Sequence, residues 1–366
     1  MSRGSWSTWL PLREDLRDLS PYGAPQVPSL AQLNTNENPY PPSSELILAI
    51  VKRVGEIAPS LNRYPDREIT QLRMSLANFL NELSGAHLSK DHIWAANGSN
   101  EVIQSLFLAF GNRGALGFTP SYSMHPVIAR VTGTPWINGV RRDDFTIDAT
   151  AASAQILSTR ASLTFVTTPN NPTGTAIPLA DLEMMAEAAT DVGGLLIVDE
   201  AYAEFSQEPS AITLLDNYPH LVVSRTMSKA FAFAGARVGY LAANAEVVDV
   251  MQIVRLPYHL SAVTQAIALV ALEHRKELLA TVATIVASRQ WVSDQLQSLG
   301  AIVVPSNANF LLFTVPSSQK TWQSLLDQGV LIRDVGLSGY LRVTIGNAAE
   351  NERFISALRN SLGGTK

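Results

Sequence analysis

The chain of 366 residues contains no cysteine. That excludes a fold built on disulfides and any thiolate metal site. Its six histidines, His87, His92, His125, His220, His259 and His274, show neither H-x-H nor HExxH spacing. They read as surface or packing residues, and no metal is expected. There is no GxGxxG and no Walker A loop, which disfavours nicotinamide binding and P-loop chemistry. No run of Lys and Arg exceeds two residues and the net charge is −5, so no nucleic-acid partner is expected. No window reaches about 18 consecutive apolar residues, so no membrane span is expected. Met1–Leu12 holds Trp6 and Trp9 but no apolar stretch of about 7–15 residues. No signal peptide is therefore expected, and a cytoplasmic location is the default.

Hydrophobic residues make up 46% of the chain and charged residues 16%, which fits a soluble enzyme with a large core. Between Ile93 and Ala243 short apolar runs alternate with helical patterns. The runs Ile93–Ala96, Ala115–Phe118, Leu163–Val166, Leu195–Val198, Leu221–Ser224 and Val238–Ala242 read as strands. Asn100–Phe110, Pro126–Thr132 and Leu179–Val192 read as helices, as do Glu45–Glu56 and Ile69–Leu83 upstream. Such alternation predicts an α/β fold with a mostly parallel sheet. Residues 261–299 read as helical throughout. Ile302–Val304, Phe310–Thr314, helix Lys320–Asp327, Leu341–Ile345 and helix Glu350–Ser361 follow. The expected division is an N-terminal arm, 1–41, a large domain, 42–255, and a small domain, 256–366, which the arm partly joins.

Polar clusters stand where predicted strands end. Asn170-Asn171-Pro172-Thr173-Gly174 follows Leu163–Val166; Asp199-Glu200-Ala201-Tyr202 follows Leu195–Val198; Thr226-Met227-Ser228-Lys229 follows Leu221–Ser224, with Arg237 eight residues after the lysine. In open α/β sheets, ligands bind at the carboxyl ends of strands. A partly buried lysine has a lowered pKa and can form a Schiff base with a carbonyl. Thr226, Ser228 and Arg237 can hold a phosphate beside it. An aspartate can keep a ring nitrogen protonated, while an asparagine and a tyrosine bond a phenolic oxygen. Those are the electronic needs of pyridoxal phosphate. The plainer reading of Lys229 alone is a surface lysine in a loop of small residues. Gly98-Ser99-Asn100, opening a helix, is either a phosphate-binding helix start or an ordinary cap. Arg342, inside the apolar run Leu341–Ile345, must be paired. It is either a structural ion pair or a fork for a substrate anion, with Arg333 as a second contact.

Taken in order, these motifs resemble those of the fold-type I aminotransferases, and more narrowly the histidinol-phosphate aminotransferase family. Asn34-Thr35-Asn36-Glu37-Asn38-Pro39, Asn62-Arg63-Tyr64-Pro65, Pro120-Ser121-Tyr122, Arg255-Leu256-Pro257-Tyr258 and Leu341-Arg342-Val343-Thr344 carry the likeness from about Tyr22 to Phe354. The resemblance implies a fold-type I pyridoxal-phosphate transferase. Its large domain has a mostly parallel seven-stranded sheet flanked by helices, and its smaller domain is α+β. It implies Lys229 as catalytic residue. It implies Ser99, Asn100, Tyr122, Asn171, Asp199, Tyr202, Thr226, Ser228 and Arg237 as cofactor contacts, with Tyr122 stacked on the pyridine. Tyr64 would reach the cofactor phosphate of a neighbouring subunit in a homodimer. Tyr22, Asn34, Tyr258, Arg333 and Arg342 would contact substrate. Thr119–Pro120 and Asn171–Pro172 are expected to be cis. Ala232-Phe233 stands where Gly-Leu is commoner, and Ala236 where Leu is usual.

The implied reaction transfers the amine of L-histidinol phosphate to 2-oxoglutarate, giving imidazole-acetol phosphate and L-glutamate, in histidine biosynthesis. Three other readings stay open on sequence: an aromatic amino-acid aminotransferase, an amino-acid-phosphate decarboxylase on the same scaffold, and a non-catalytic ligand-binding module.

Overall fold

The computed structural model describes residues 6, 7, 9–21 and 23–363. Tyr22, expected at the substrate, lies outside the described residues. In chain order the elements are β1 Ala31–Gln32, α1 Ser44–Ile57, α2 Thr70–Ser84, β2 Ile93–Ala96, α3 Ser99–Phe110, β3 Ala115–Thr119, α4 Met124–Thr132, β4 Trp136–Val140, α5 Ala149–Thr159, β5 Leu163–Thr167, α6 Leu179–Asp191, β6 Leu195–Asp199, β7 Leu221–Thr226 and β8 Gly239–Ala243. Then come α7 Ala245–Val254, α8 Ala262–Glu273, α9 Arg275–Ser298, β9 Phe310–Thr314, α10 Ser318–Asp327, β10 Val330–Leu331, β11 Tyr340–Thr344 and α11 Ala348–Gly363.

Seven strands form one sheet in the order β2-β8-β7-β6-β5-β3-β4. Every neighbouring pair is parallel except the two made by β8. Strands β2, β5, β7 and β8 are buried along their whole length. A sheet covered on both faces needs such unbroken apolar strands. Two hydrophobic clusters cover its faces. One contains Val166, Val198 and Val223; the other contains Phe165, Ile197 and Val222. Neighbouring residues of one strand fall in different clusters, as the two-residue period requires. Two small sheets stand apart, β1 parallel to β10 and β9 antiparallel to β11.

The structure departs from the expected elements in several places. The segment 261–299 is two helices, broken at His274. Ile302–Val304 forms no strand; Val303 makes a single bridge to Phe313. Strand β4 and helices α5 and α7 were not expected. In β4 only Gly139 is buried, and the exposed Asn138 interrupts the apolar pattern. In α5 the buried face is mostly alanine and serine, so its amphipathic signal is faint.

Candidate active site

A cavity of about 430 Å³ opens at the carboxyl edge of the sheet, where β5, β6 and β7 end in Thr167, Asp199 and Thr226. Parallel strand register puts Thr167 beside Asp199 and Asp199 beside Ser224. The turns after β2 and β3 bring Ser99, Asn100 and Tyr122 to the same cavity. Residues 34–37 after β1, Arg333 just after β10 and Arg342 on β11 close it.

Lys229 stands in its wall. Its Nζ donates to the carbonyl of Thr35 at 2.9 Å and lies 5.9 Å from the Tyr202 ring centre. Burial above all, with the charges of Arg342 and Arg237 and against that of Glu37, lowers its pKa to about 8. At pH 7 about a tenth of the amine is therefore neutral, against well under a thousandth for an ordinary lysine, and the neutral form is the one a nucleophile requires.

Asp199 is buried, and its Oδ2 lies 3.2 Å from His125 Nε2. The backbone N–H of Ala201 donates to its Oδ1. His125, read as a surface or packing residue, does pack, against Phe165, and it also reaches the site. It sits in the first turn of α4, buried, and reaches the aspartate across β5. Tyr122 donates to Asn100 Oδ1 at 3.1 Å and stands edge-on to His125. Asn171 Nδ2 lies 3.5 Å from the Tyr202 hydroxyl, which also accepts from Asn36 Nδ2 at 2.9 Å. Asn36 had no role in the sequence reading beyond its motif. Its backbone, at φ 57, is held by Thr344 and Asn309.

Ser228 and Thr226 share a hydrogen bond at 3.0 Å, and Arg237 Nη1 lies 3.4 Å from Ser228 Oγ. Beside them α3 begins at Ser99 with no side-chain cap. Gly98, at φ 86, and Gly239 are fixed by this crowding. A Cβ on Gly98 would strike the Arg237 guanidinium, and one on Gly239 would strike the Gly98–Ser99 backbone. The cluster holds helix-start amides, two hydroxyls and a guanidinium with no carboxylate in ion-pair contact among the described residues. That donor set fits a phosphate group. With Lys229 and Asp199 alongside, the residues present fit pyridoxal phosphate.

Arg342 lies on β11, buried, over the ring of Phe310. Its Nη1 donates to Asn171 Oδ1 and its Nη2 to the carbonyl of Asn34 at 2.8 Å. Asn34 thus positions the arginine through its backbone, while its side chain donates to the carbonyl of Pro25. Arg333 pairs with Arg342 backbone to backbone and faces the same cavity.

Tyr64 and Tyr258 are not in this cavity. They stack on each other with ring centres 4.3 Å apart on the exterior, Tyr64 being 79% exposed. Thr119–Pro120 and Asn171–Pro172 are cis, as expected, and so is Thr168–Pro169. Among the described residues no group of three His, Asp or Glu is spaced to hold a metal ion. No described helix is long and apolar enough to cross a membrane.

A lysine, an aspartate and a phosphate cradle at the strand ends of such a sheet define a fold-type I pyridoxal-phosphate transferase. The family model for aminotransferase class I and II matches residues 28–358. Histidinol-phosphate aminotransferase of Mycobacterium sp. (strain JLS) is 55% identical over 352 residues, 95% of this chain and 93% of its own. That of Thermobifida fusca (strain YX) is 55% identical over 359 residues, covering 97% and 96%. Among solved structures, histidinol-phosphate aminotransferase from Sinorhizobium meliloti in complex with pyridoxal-5'-phosphate superposes with TM-score 0.83 at 24% identity, over 93% of this chain and 92% of that one. The chain belongs to the class I and II aminotransferases and, within them, to the histidinol-phosphate aminotransferase family.

Proposed function

We propose that the chain is a pyridoxal-phosphate enzyme that transfers the amine of L-histidinol phosphate to 2-oxoglutarate, giving imidazole-acetol phosphate and L-glutamate. The observation that carries this is the pairing of Lys229 with Arg342 and Arg333 in one cavity, in a chain 55% identical to proteins of that name. Thr226, Ser228, Arg237 and the start of α3 would hold the cofactor phosphate, Asp199 its ring nitrogen, Asn171 and Tyr202 its phenolic oxygen, and Tyr122 its face. Bound there, the cofactor supplies a ring that accepts the electron pair left on the substrate carbon.

The protein supplies the rest. Asp199, oriented by His125, keeps a proton on the ring nitrogen. Lys229 Nζ takes the proton from the carbon bearing the substrate amine and later returns one. Arg342 offers a planar fork that suits a phosphate in one half-reaction and a carboxylate in the other. Arg333 adds a second positive charge at the same end.

The active enzyme is a homodimer in this reading. Tyr64 and Tyr258 present an exposed aromatic pair, with Leu61 and Leu256 exposed in the same two loops. Exposed apolar surface of this kind marks an interaction site. Tyr64 then completes the partner's phosphate site and Tyr258 its substrate site. The division into an arm (1–41), a large domain (42–255) and a small domain (256–366) is likewise proposed. The pairing of β1 with β10 supports the arm's share in the small domain. A biosynthetic step of this kind belongs in the cytoplasm.

The test is to add histidinol phosphate, phenylalanine and glutamate separately to the cofactor-loaded enzyme and follow its visible absorption. Histidinol phosphate and glutamate should each convert the enzyme at catalytically competent rates. Faster conversion by phenylalanine would replace this reading with the aromatic one. Release of CO2 without an oxo-acid would replace it with the decarboxylase.

A further inference from the structure

The proposed function gives Asn171 a cofactor contact and leaves Asn170, its neighbour in the turn after β5, without a role. Asn170 is fully buried and does not line the active-site cavity. Its side chain reaches into the turn after β3, the one that carries Tyr122. Nδ2 donates to the carbonyl of Pro120 at 3.0 Å and to Thr173 Oγ1 at 2.8 Å, and Oδ1 accepts from Ser121 Oγ at 2.9 Å. Its backbone N–H donates to the carbonyl of Thr175, and its own carbonyl accepts from the N–H of Gly174. The residue is thus anchored by its backbone in the Asn171 turn and grips the Tyr122 turn with its amide.

We propose that Asn170 is a positioning residue: it sets the height of Tyr122 over the cofactor ring relative to Asn171 at the ring's oxygen. The inference rests on the cofactor contacts proposed above for Tyr122 and Asn171. Strands β3 and β5 are neighbours, but their ladder ends at Gly117 and Phe165, before either turn begins. Beyond it, side chains join the two turns. The Ser121 hydroxyl also meets Thr167 Oγ1 at 3.0 Å, but a hydroxyl hydrogen rotates and fixes little. An amide is planar, so its N–H and its oxygen hold Pro120 and Ser121 in one fixed relation. Burying an amide is unfavourable unless its donors and its acceptor are paired, and here both kinds are used. An apolar side chain of the same volume would withdraw both bonds to the Tyr122 turn.

The full-length enzyme, stripped of cofactor, is titrated with pyridoxal phosphate, and the visible circular dichroism of the bound cofactor is recorded. The proteins compared with wild type are Asn170→Ala, Tyr122→Ala and the double variant. Tyr122→Ala should weaken the cofactor at least about tenfold, and Asn170→Ala about tenfold, the scale of one or two hydrogen bonds. Because Asn170 acts through Tyr122, the double variant should stay within about threefold of Tyr122→Ala, whereas independent losses multiply to about a hundredfold or more. Asn170→Ala should also alter the dichroism of the otherwise wild-type enzyme and leave that of Tyr122→Ala unchanged, which a loss of stability alone would not do. If Asn170→Ala does not fold, Ser121→Ala takes its place. It removes one of the same bonds from the other turn, should weaken the cofactor about threefold, and should add nothing to Tyr122→Ala. Losses that multiply, or wild-type affinity and dichroism in the variant that breaks the link, overturn this inference alone. Wild-type affinity and dichroism in Tyr122→Ala overturn the proposed stacking and this inference with it.

Discussion

His125 Nε2 and Asp199 Oδ2 meet at 3.2 Å in a buried pocket behind Tyr122. The imidazole is a positioning group, holding the carboxylate that would face the cofactor ring nitrogen. Asp199→Asn should therefore raise the barrier by at least ~3 kcal/mol, the scale of a lost preorganised electrostatic partner. His125→Phe keeps the bulk and loses the contact, so kcat should fall about ten- to a hundredfold. It should also move the pH at which the bound cofactor's absorption changes, which a merely structural effect would not do. A loss under tenfold for Asp199→Asn would remove Asp199 from that role.

Lys229 carries the second prediction. Its folded pKa of about 8 lies below its ordinary 10.5. Between those values the unfolded chain binds more protons, so this group's penalty on stability, present below pH 8, is relieved as pH rises through that window. The neutral amine grows over the lower part of it, so uptake of pyridoxal phosphate by the cofactor-free enzyme should accelerate with a midpoint near pH 8. Glu37→Gln should lower that midpoint and Arg342→Ala should raise it, because Glu37 opposes and Arg342 promotes the shift. Lys229→Ala should abolish turnover; retention of a tenth of the wild-type rate would sink its assignment.

Much of this site was legible because its chemistry sits at the ends of fully buried strands. Apolar runs ending in Asn171, Asp199 and Lys229 announce both the strand and the site. His125 was not legible, since its importance arises from a contact across β5 that no local pattern encodes. Asn36 is similar: its tie to Tyr202 depends on residues near 309 and 344 folding back onto the arm. Edge strand β4, half exposed, lacks the continuous apolar run that marked its neighbours. The break at His274 falls between two strongly helical stretches with neither Gly nor Pro at the junction.

Arg342 should govern both half-reactions. Arg342→Lys keeps the charge and loses the planar fork, so KM should rise for histidinol phosphate and for glutamate together. Arg342→Ala should raise both further. Equilibrium affinity for the cofactor should stay near wild type, since its phosphate is assigned to Ser228, Arg237 and the start of α3. A weakened cofactor, or an effect on one substrate alone, would contradict this.

Ala232, where glycine is commoner in the family, has φ 54. Its N–H donates to the carbonyl of Lys229, so the strained turn lies directly after that lysine. A left-handed residue with a Cβ costs roughly 1–2 kcal/mol, of which the freer unfolded glycine returns about 0.4–1. Ala232→Gly should therefore stabilise the protein by up to about 1 kcal/mol in denaturant unfolding. No change or a loss would show that packing around the methyl outweighs the backbone.

The stacked pair of Tyr64 and Tyr258 lies outside the chain's own cavity, so any role of Tyr64 in catalysis requires a second subunit. Tyr64→Ala and Lys229→Ala should each be inactive or nearly so. In a hybrid dimer, a trans-acting Tyr64 places both faults in one site and leaves the other intact. Random pairing at equal amounts then restores about one quarter of wild-type activity, since half the dimers are hybrids with one good site of two. If Tyr64 acts within its own chain, every hybrid site keeps one fault and no activity returns. Subunit exchange is verified by mass before the assay, so a silent mixture counts against the shared site.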